Sequence, residues 1–129
     1  MDNILATKVL LVDDEREFID ILSQRLETRG LKVKAVTSGK EAIAMIGDHD
    51  VDVAVVDFAM PGINGIETLK QIKEKRSDIE VIMLTGQGSI QSGIEAMKHG
   101  AIDYLEKPVD LNILMEKIHF AKEALAMIG

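Results

Sequence analysis

Five short runs rich in β-branched residues, each followed by a segment with helical spacing, constrain this chain more than any other feature. The runs are Lys8–Val12, Lys32–Val36, Val51–Val56, Glu80–Leu84 and Ile102–Leu105. Three of them are almost continuously apolar, as expected of strands covered on both faces. The first intervening segment places Phe18, Ile21, Leu22 and Leu26 on one stripe and stops at Gly30, a natural C-cap. The second opens at Ser38 with Glu41 three residues on, a capping-box pattern, and stacks Ala42, Met45 and Ile46. The third starts near Gly65 with Ile66, Leu69 and Ile72, and the fourth runs from near Ser89 to Gly100. The fifth starts at Asp110, an N-cap residue, and nearly exhausts the chain.

Alternating β and α units of this length require right-handed crossovers, and so a parallel sheet with helices on both faces. Five such units favour a flavodoxin-like (βα)5 three-layer sandwich, with strand order 2-1-3-4-5 and one domain over residues 1–129. Ligands bind such sheets at the carboxyl ends of the strands, at the switch point between the first and third. The residues to read closely therefore come directly after Val12, Val56, Leu84 and Leu105.

After the first run comes Asp13-Asp14-Glu15, and after the third comes Asp57. Helix capping accounts for Asp13 and Asp14 taken alone, and a strand-end turn accounts for Asp57. Neither explains three carboxylates meeting at the one topological crevice. Their mutual repulsion calls for a cation, and an all-oxygen donor set suits Mg²⁺ (or Mn²⁺) rather than zinc. Thr85-Gly86-Gln87-Gly88-Ser89 comes after the fourth run, bringing a hydroxyl and glycines that let backbone amides approach an anion. Lys107-Pro108 comes after the fifth; the lysine suits either a structural ion pair or a phosphoryl oxygen. Two metal-binding acids, one further aspartate, a hydroxyl and a lysine make a set suited to phosphoryl transfer, with Asp57 placed to attack in line.

These residues lie in VLLVDDE, VDVAVVDFAMPGINGIE, VIMLTGQGSI and AIDYLEKP, and the whole pattern resembles the receiver domain of two-component response regulators. The resemblance implies that Asp57 is the phosphoacceptor, fed by a phosphohistidine on a sensor histidine kinase or a histidine phosphotransfer protein. It implies that Asp14, Asp57 and the backbone carbonyl of Ala59 ligate Mg²⁺, with Asp13 acting through water. Lys107 would contact the phosphoryl oxygens, ahead of a cis Pro108. Thr85 and Tyr104 would form the switch pair, signalling through the fourth helix, fifth strand and fifth helix to an output domain, a protein partner or a second copy. The product is a switch rather than an enzyme with its own substrate; it catalyses only its own phosphorylation and dephosphorylation. The stretch LTGQGSIQSGIEAMKHGAIDYLEKP further resembles receivers attached to σ54-dependent transcription activators. The chain reads either as a stand-alone receiver or as part of a longer regulator. Ala59 and Gln87 flank the path of a hydrolytic water, and Ala59 has no group to orient it, so the phosphoryl group should be long-lived.

In the last helix, Leu111, Leu114, Ile118, Ala121 and Leu125 suit packing on the sheet, and Asn112, Glu116, His119 and Glu123 make a polar stripe. Ile113, Phe120, Ala124 and Met127 are apolar yet project elsewhere, which suits either a neighbouring helix or a partner face. His49, His99 and His119 are scattered and read as surface residues. A net charge of −7 disfavours a direct hold on nucleic acid. With no cysteine, disulfides and thiolate chemistry are excluded. The start of the chain lacks a signal-peptide pattern and the longest apolar runs are too short for a bilayer, so a cytoplasmic protein is expected.

Three rivals share parts of this pattern. A flavin-mononucleotide flavodoxin has the fold, but Asp13-Asp14-Glu15 would repel its phosphate. A phosphatase of the haloacid dehalogenase type wants a second acid two residues after its nucleophile, where this chain has Ala59. A receiver that works only unphosphorylated would lack site residues, and none is missing.

Overall fold

The computed structural model describes residues 6–60, 62–86 and 89–128. Ten elements alternate: β1 (Lys8–Val12), α1 (Arg16–Thr28), β2 (Lys32–Val36), α2 (Gly39–Ile46), β3 (Val53–Asp57), α3 (Gly65–Lys75), β4 (Glu80–Thr85), α4 (Ile90–Lys98), β5 (Asp103–Glu106) and α5 (Leu111–Ile128). The strands form one parallel sheet in the order β2-β1-β3-β4-β5, as the alternation of units requires.

The period of two along each strand divides the core into two layers. Leu10, Val12, Ala54, Val56, Val81 and Met83 pack with residues of α2, α3 and α4. Val9, Leu11, Val53, Val55, Ile82 and Leu84 pack with α1 and α5. Every residue of β3 is buried, while all four of β5, at the edge, are only partly so.

The helix ends reflect their local chemistry. Ser38 Oγ accepts from the Glu41 amide at 3.2 Å. The reciprocal bond of the box reaches one residue further, from the Thr37 amide to Glu41 Oε1. Asp110 Oδ1 accepts from the Ile113 amide, capping α5. Gly30 takes a left-handed φ of 97° after α1, with Gly30 and Leu31 amides returning to Glu27 and Leu26 carbonyls, as in a Schellman turn.

Several sequence expectations need correcting. In α1 the buried residues are Ile19, Leu22 and Leu26, whereas Ile21 is 51% exposed. Phe18, Leu22 and Leu26 fit two neighbouring stripes, and packing on the sheet and α5 selects the one through Ile19. The third strand begins at Val53 rather than Val51, because Asp52 turns its carboxylate onto the Lys8 amide before the ladder starts. The fifth begins at Asp103 and runs to Glu106, one residue later than expected at each end.

Candidate functional site

The carboxyl ends of β1 and β3 are adjacent, with Val12 paired to Val56, so Asp13 and Asp57 at those ends are neighbours. Asp13 is 1% exposed and Asp57 6%, while Asp14 is exposed. One carboxylate oxygen from each of the three lies within 4.8 Å of the others. Asp13 is held from both sides: its amide donates to the Val36 carbonyl and its Oδ1 accepts from the Glu15 amide at 2.9 Å. The Ala59 backbone faces the Asp57 carboxylate and favours its charged form. Gly65 lets the start of α3 lie against this loop, since a Cβ there would collide with the Asp57 carbonyl and the Phe58 backbone.

Lys107, from the end of β5, reaches across the crevice. Its Nζ lies 2.8 Å from Asp13 Oδ2, 2.9 Å from Glu15 Oε1 and 3.7 Å from Asp57 Oδ1. The approach to Asp13 Oδ2 is an ion pair whose angle leaves that oxygen without a regular hydrogen bond. The ammonium also sits 4.6 Å above the Phe18 ring, a cation–π contact. In the sequence Glu15 stands only within an acidic run and Phe18 on a helix core stripe, and neither announces a contact with Lys107. The Lys107–Pro108 bond is cis.

The charges do not balance. Four carboxylates, those of Asp13, Asp14, Glu15 and Asp57, gather around one ammonium. Burial, reinforced by the Asp13 charge and opposed by Lys107, pushes the Asp57 carboxyl up to about 6. Burial alone would lower the Lys107 ammonium, but the carboxylates of Asp13 and Glu15 outweigh it and hold it above its ordinary value. Hard oxygen donors with excess negative charge fit a divalent hard cation.

At the end of β4, Thr85 is fully buried and its Oγ1 has no hydrogen-bond partner. Tyr104, paired in register with Met83, stands on the same face of the sheet. Its ring is half-buried and turned onto α4. Gln87 and Gly88 lie outside the described residues. All three histidines are exposed, as expected.

A profile of the response regulator receiver domain matches residues 9–119. The chain belongs to that family. As a receiver it is a phosphorylation-activated switch of two-component signalling rather than a conventional enzyme. It is 39% identical over 113 residues to the response regulator SaeR of Staphylococcus aureus, which covers 88% of this receiver and 49% of SaeR. The receiver thus spans about half the length of the curated relatives it matches. Among solved structures it is similar to a receiver domain protein from Clostridium thermocellum, with TM-score 0.90, 32% identity and coverage of 95% and 99% of the two chains. It is also similar to NtrX from Brucella abortus in complex with ADP, with TM-score 0.90, 27% identity and coverage of 95% of this receiver and 28% of NtrX. Among the described residues, no helix of the receiver is long and apolar enough to cross a membrane.

Proposed function

We propose that residues 1–129 act as one receiver domain in which Asp57 accepts a phosphoryl group from a phosphohistidine on a sensor histidine kinase or a histidine phosphotransfer protein. The observation that carries this reading is the convergence of Asp57 with two further aspartates and Lys107 at the sheet's switch point. Asp14, Asp57 and the Ala59 carbonyl would hold Mg²⁺ or Mn²⁺ directly and Asp13 through water. The metal would supply the positive charge that lets three carboxylates and a phosphoryl group share one pocket.

Asp57 needs no general base, because with its carboxyl at about 6 it is ionised roughly ten to one at pH 7. One of its oxygens forms the new O–P bond in line as the donor's P–N bond breaks, and that electron pair returns to the imidazole nitrogen. The product is an acyl phosphate. Lys107 turns from Asp13 and Glu15 toward the new phosphoryl oxygens, and Thr85 brings its unpartnered hydroxyl to another. Tyr104 then rotates inward behind Thr85.

Incubation with acetyl phosphate and Mg²⁺ tests the reading by intact mass. The expected result is one added phosphoryl group in the wild type and none in Asp57→Asn; labelling that persists in the variant overturns it. The decay of that species reports on Ala59, which is exposed beside the acceptor. Ala59→Asn is expected to alter the acyl-phosphate lifetime by several-fold, tracked by the same mass measurement over time. An unchanged lifetime would remove Ala59 from the hydrolytic path.

The signal leaves through α4, β5 and α5. Ile90, Ile94 and Met97 of α4 and Ile113 and Phe120 of α5 are all exposed, Phe120 by 62%. Ala124 is partly buried, and the Met127 side chain lies outside the described residues. Such a cluster on a chain of this charge suits an output domain, a protein partner or a second copy. Phe120→Glu is expected to weaken self-association or partner binding in sedimentation. A sedimentation profile and binding that do not change would count against this face. The receiver would act in the cytoplasm, where it meets its kinase.

A further inference from the structure

An interior glycine weakens a helix, since it adds backbone freedom and contributes no side chain. Gly93 occupies such a position in α4 and is buried. A Cβ built on it would sit 2.5–2.6 Å from Cδ1, Cδ2 and Cε2 of Tyr104. Near-equal distances to atoms on both sides of the ring mean that the ring lies face-on over the glycine. A rigid ring cannot yield locally to a methyl group; it has to rotate away as a whole.

The other tight glycines serve the scaffold. Gly39 abuts Thr68 and Ile63, and Gly65 abuts the backbone after Asp57. Gly93 differs in that its neighbour is the side chain that the proposed switch has to move. Ala96, one turn on, is also small and buried, so this side of α4 presents a shallow floor to the ring. Thr85, with its unpartnered hydroxyl, lies further along β4 on the same face of the sheet.

We propose that Gly93 is the resting seat of Tyr104, its missing Cβ holding the ring on α4 and coupling the position of that helix to the state of the switch. This rests on the reading of Tyr104 as the mobile partner of Thr85. Gly93 is a positioning residue and touches no reacting atom. When the ring leaves, α4 loses the contact that presses it to β5 and is released to shift. Filling the seat with a methyl group should therefore drive the ring out with no phosphoryl group present.

The chain has one tyrosine and no tryptophan, so tyrosine fluorescence and its quenching by acrylamide report on this ring alone. In the full chain, Gly93→Ala without metal is expected to give the signal that the wild type shows with beryllofluoride and Mg²⁺, and to respond little to further addition of both. A wild-type resting signal and a full response in Gly93→Ala overturn the proposal.

Thermal unfolding of the metal-free proteins gives a second reading. Gly93→Ala is expected to lower the midpoint beside Tyr104 but to raise it by about 4 °C in Tyr104→Ala, where helix propensity alone remains. Equal shifts in the two backgrounds overturn the seat. Neither readout in the metal-free chain needs phosphorylation. Phosphorylated Asp57 with no coupling in the cycle removes the seat alone. Coupling with no phosphorylation of Asp57 keeps the seat and removes the phosphoacceptor reading.

Discussion

Lys107→Met is expected to destabilise the metal-free protein by about 3 kcal/mol, read from urea unfolding in EDTA at pH 7.5. The ammonium stands within 2.8 Å of Asp13 and 3.7 Å of Asp57, both nearly sealed from water. Its pair with Glu15 counts for less, because that side chain is 64% exposed. Deleting one partner of a buried ion pair typically costs about 3–5 kcal/mol, since the charge left behind has neither water nor a counter-ion. Lys107 itself keeps 22% exposure, which places the expected loss at the low end. The ammonium is held above its ordinary value, so its stabilisation is complete throughout neutral pH and fades only in strong alkali. Mg²⁺ should restore more stability to the variant than to the wild type, because it takes over the neutralising charge. A loss below about 1 kcal/mol would show that the carboxylates are screened by something other than Lys107.

Asp57→Asn should act in the opposite sense and stabilise the metal-free chain. Burial, with the Asp13 charge next, lifts this carboxyl from 3.8 to about 6. The folded state therefore binds the proton more tightly than the unfolded one. Relative to an always-ionised acid, that preference favours folding fully below about 4 and is lost as pH rises through about 6. Near neutrality the ionised group opposes folding, by roughly 2–3 kcal/mol at about 1.4 kcal/mol per pKa unit. The neutral amide removes this penalty, so the variant should gain about 2 kcal/mol at pH 7.5 and almost nothing at pH 4. Urea unfolding in EDTA at the two pH values measures it. Equal effects at both pH values would place the gain in packing rather than charge. Added Mg²⁺ should narrow the gap, because it relieves the same repulsion in the wild type.

The sheet order and the three aspartates were legible in the sequence for one reason: both depend on strand ends. Unbroken apolar runs such as Val53–Val56 show that both faces of the sheet are covered, and the residues just past each run land on one rim. The choice between Ile19 and Ile21 was not legible, because two overlapping stripes fit the same spacing and only packing on the sheet and α5 separates them. The contacts of Glu15 and Phe18 with Lys107 were not legible because they depend on where the lysine side chain lies, and no spacing rule records a rotamer. Gly93 was silent for the same reason: its meaning is the ring above it.

β3 is buried along its length between two paired neighbours, whereas β5 is an edge strand with no fully buried residue. Elements with few buried contacts open at a lower local free energy. In the proposed reading, Asp57 rests on the least compliant part of the sheet and Tyr104 on a yielding edge. Local opening would then be felt at Tyr104 before it is felt at Asp57. Substitutions along β5 and α4 would then shift the resting position of the proposed switch while the speed of phosphoryl transfer stays as it was.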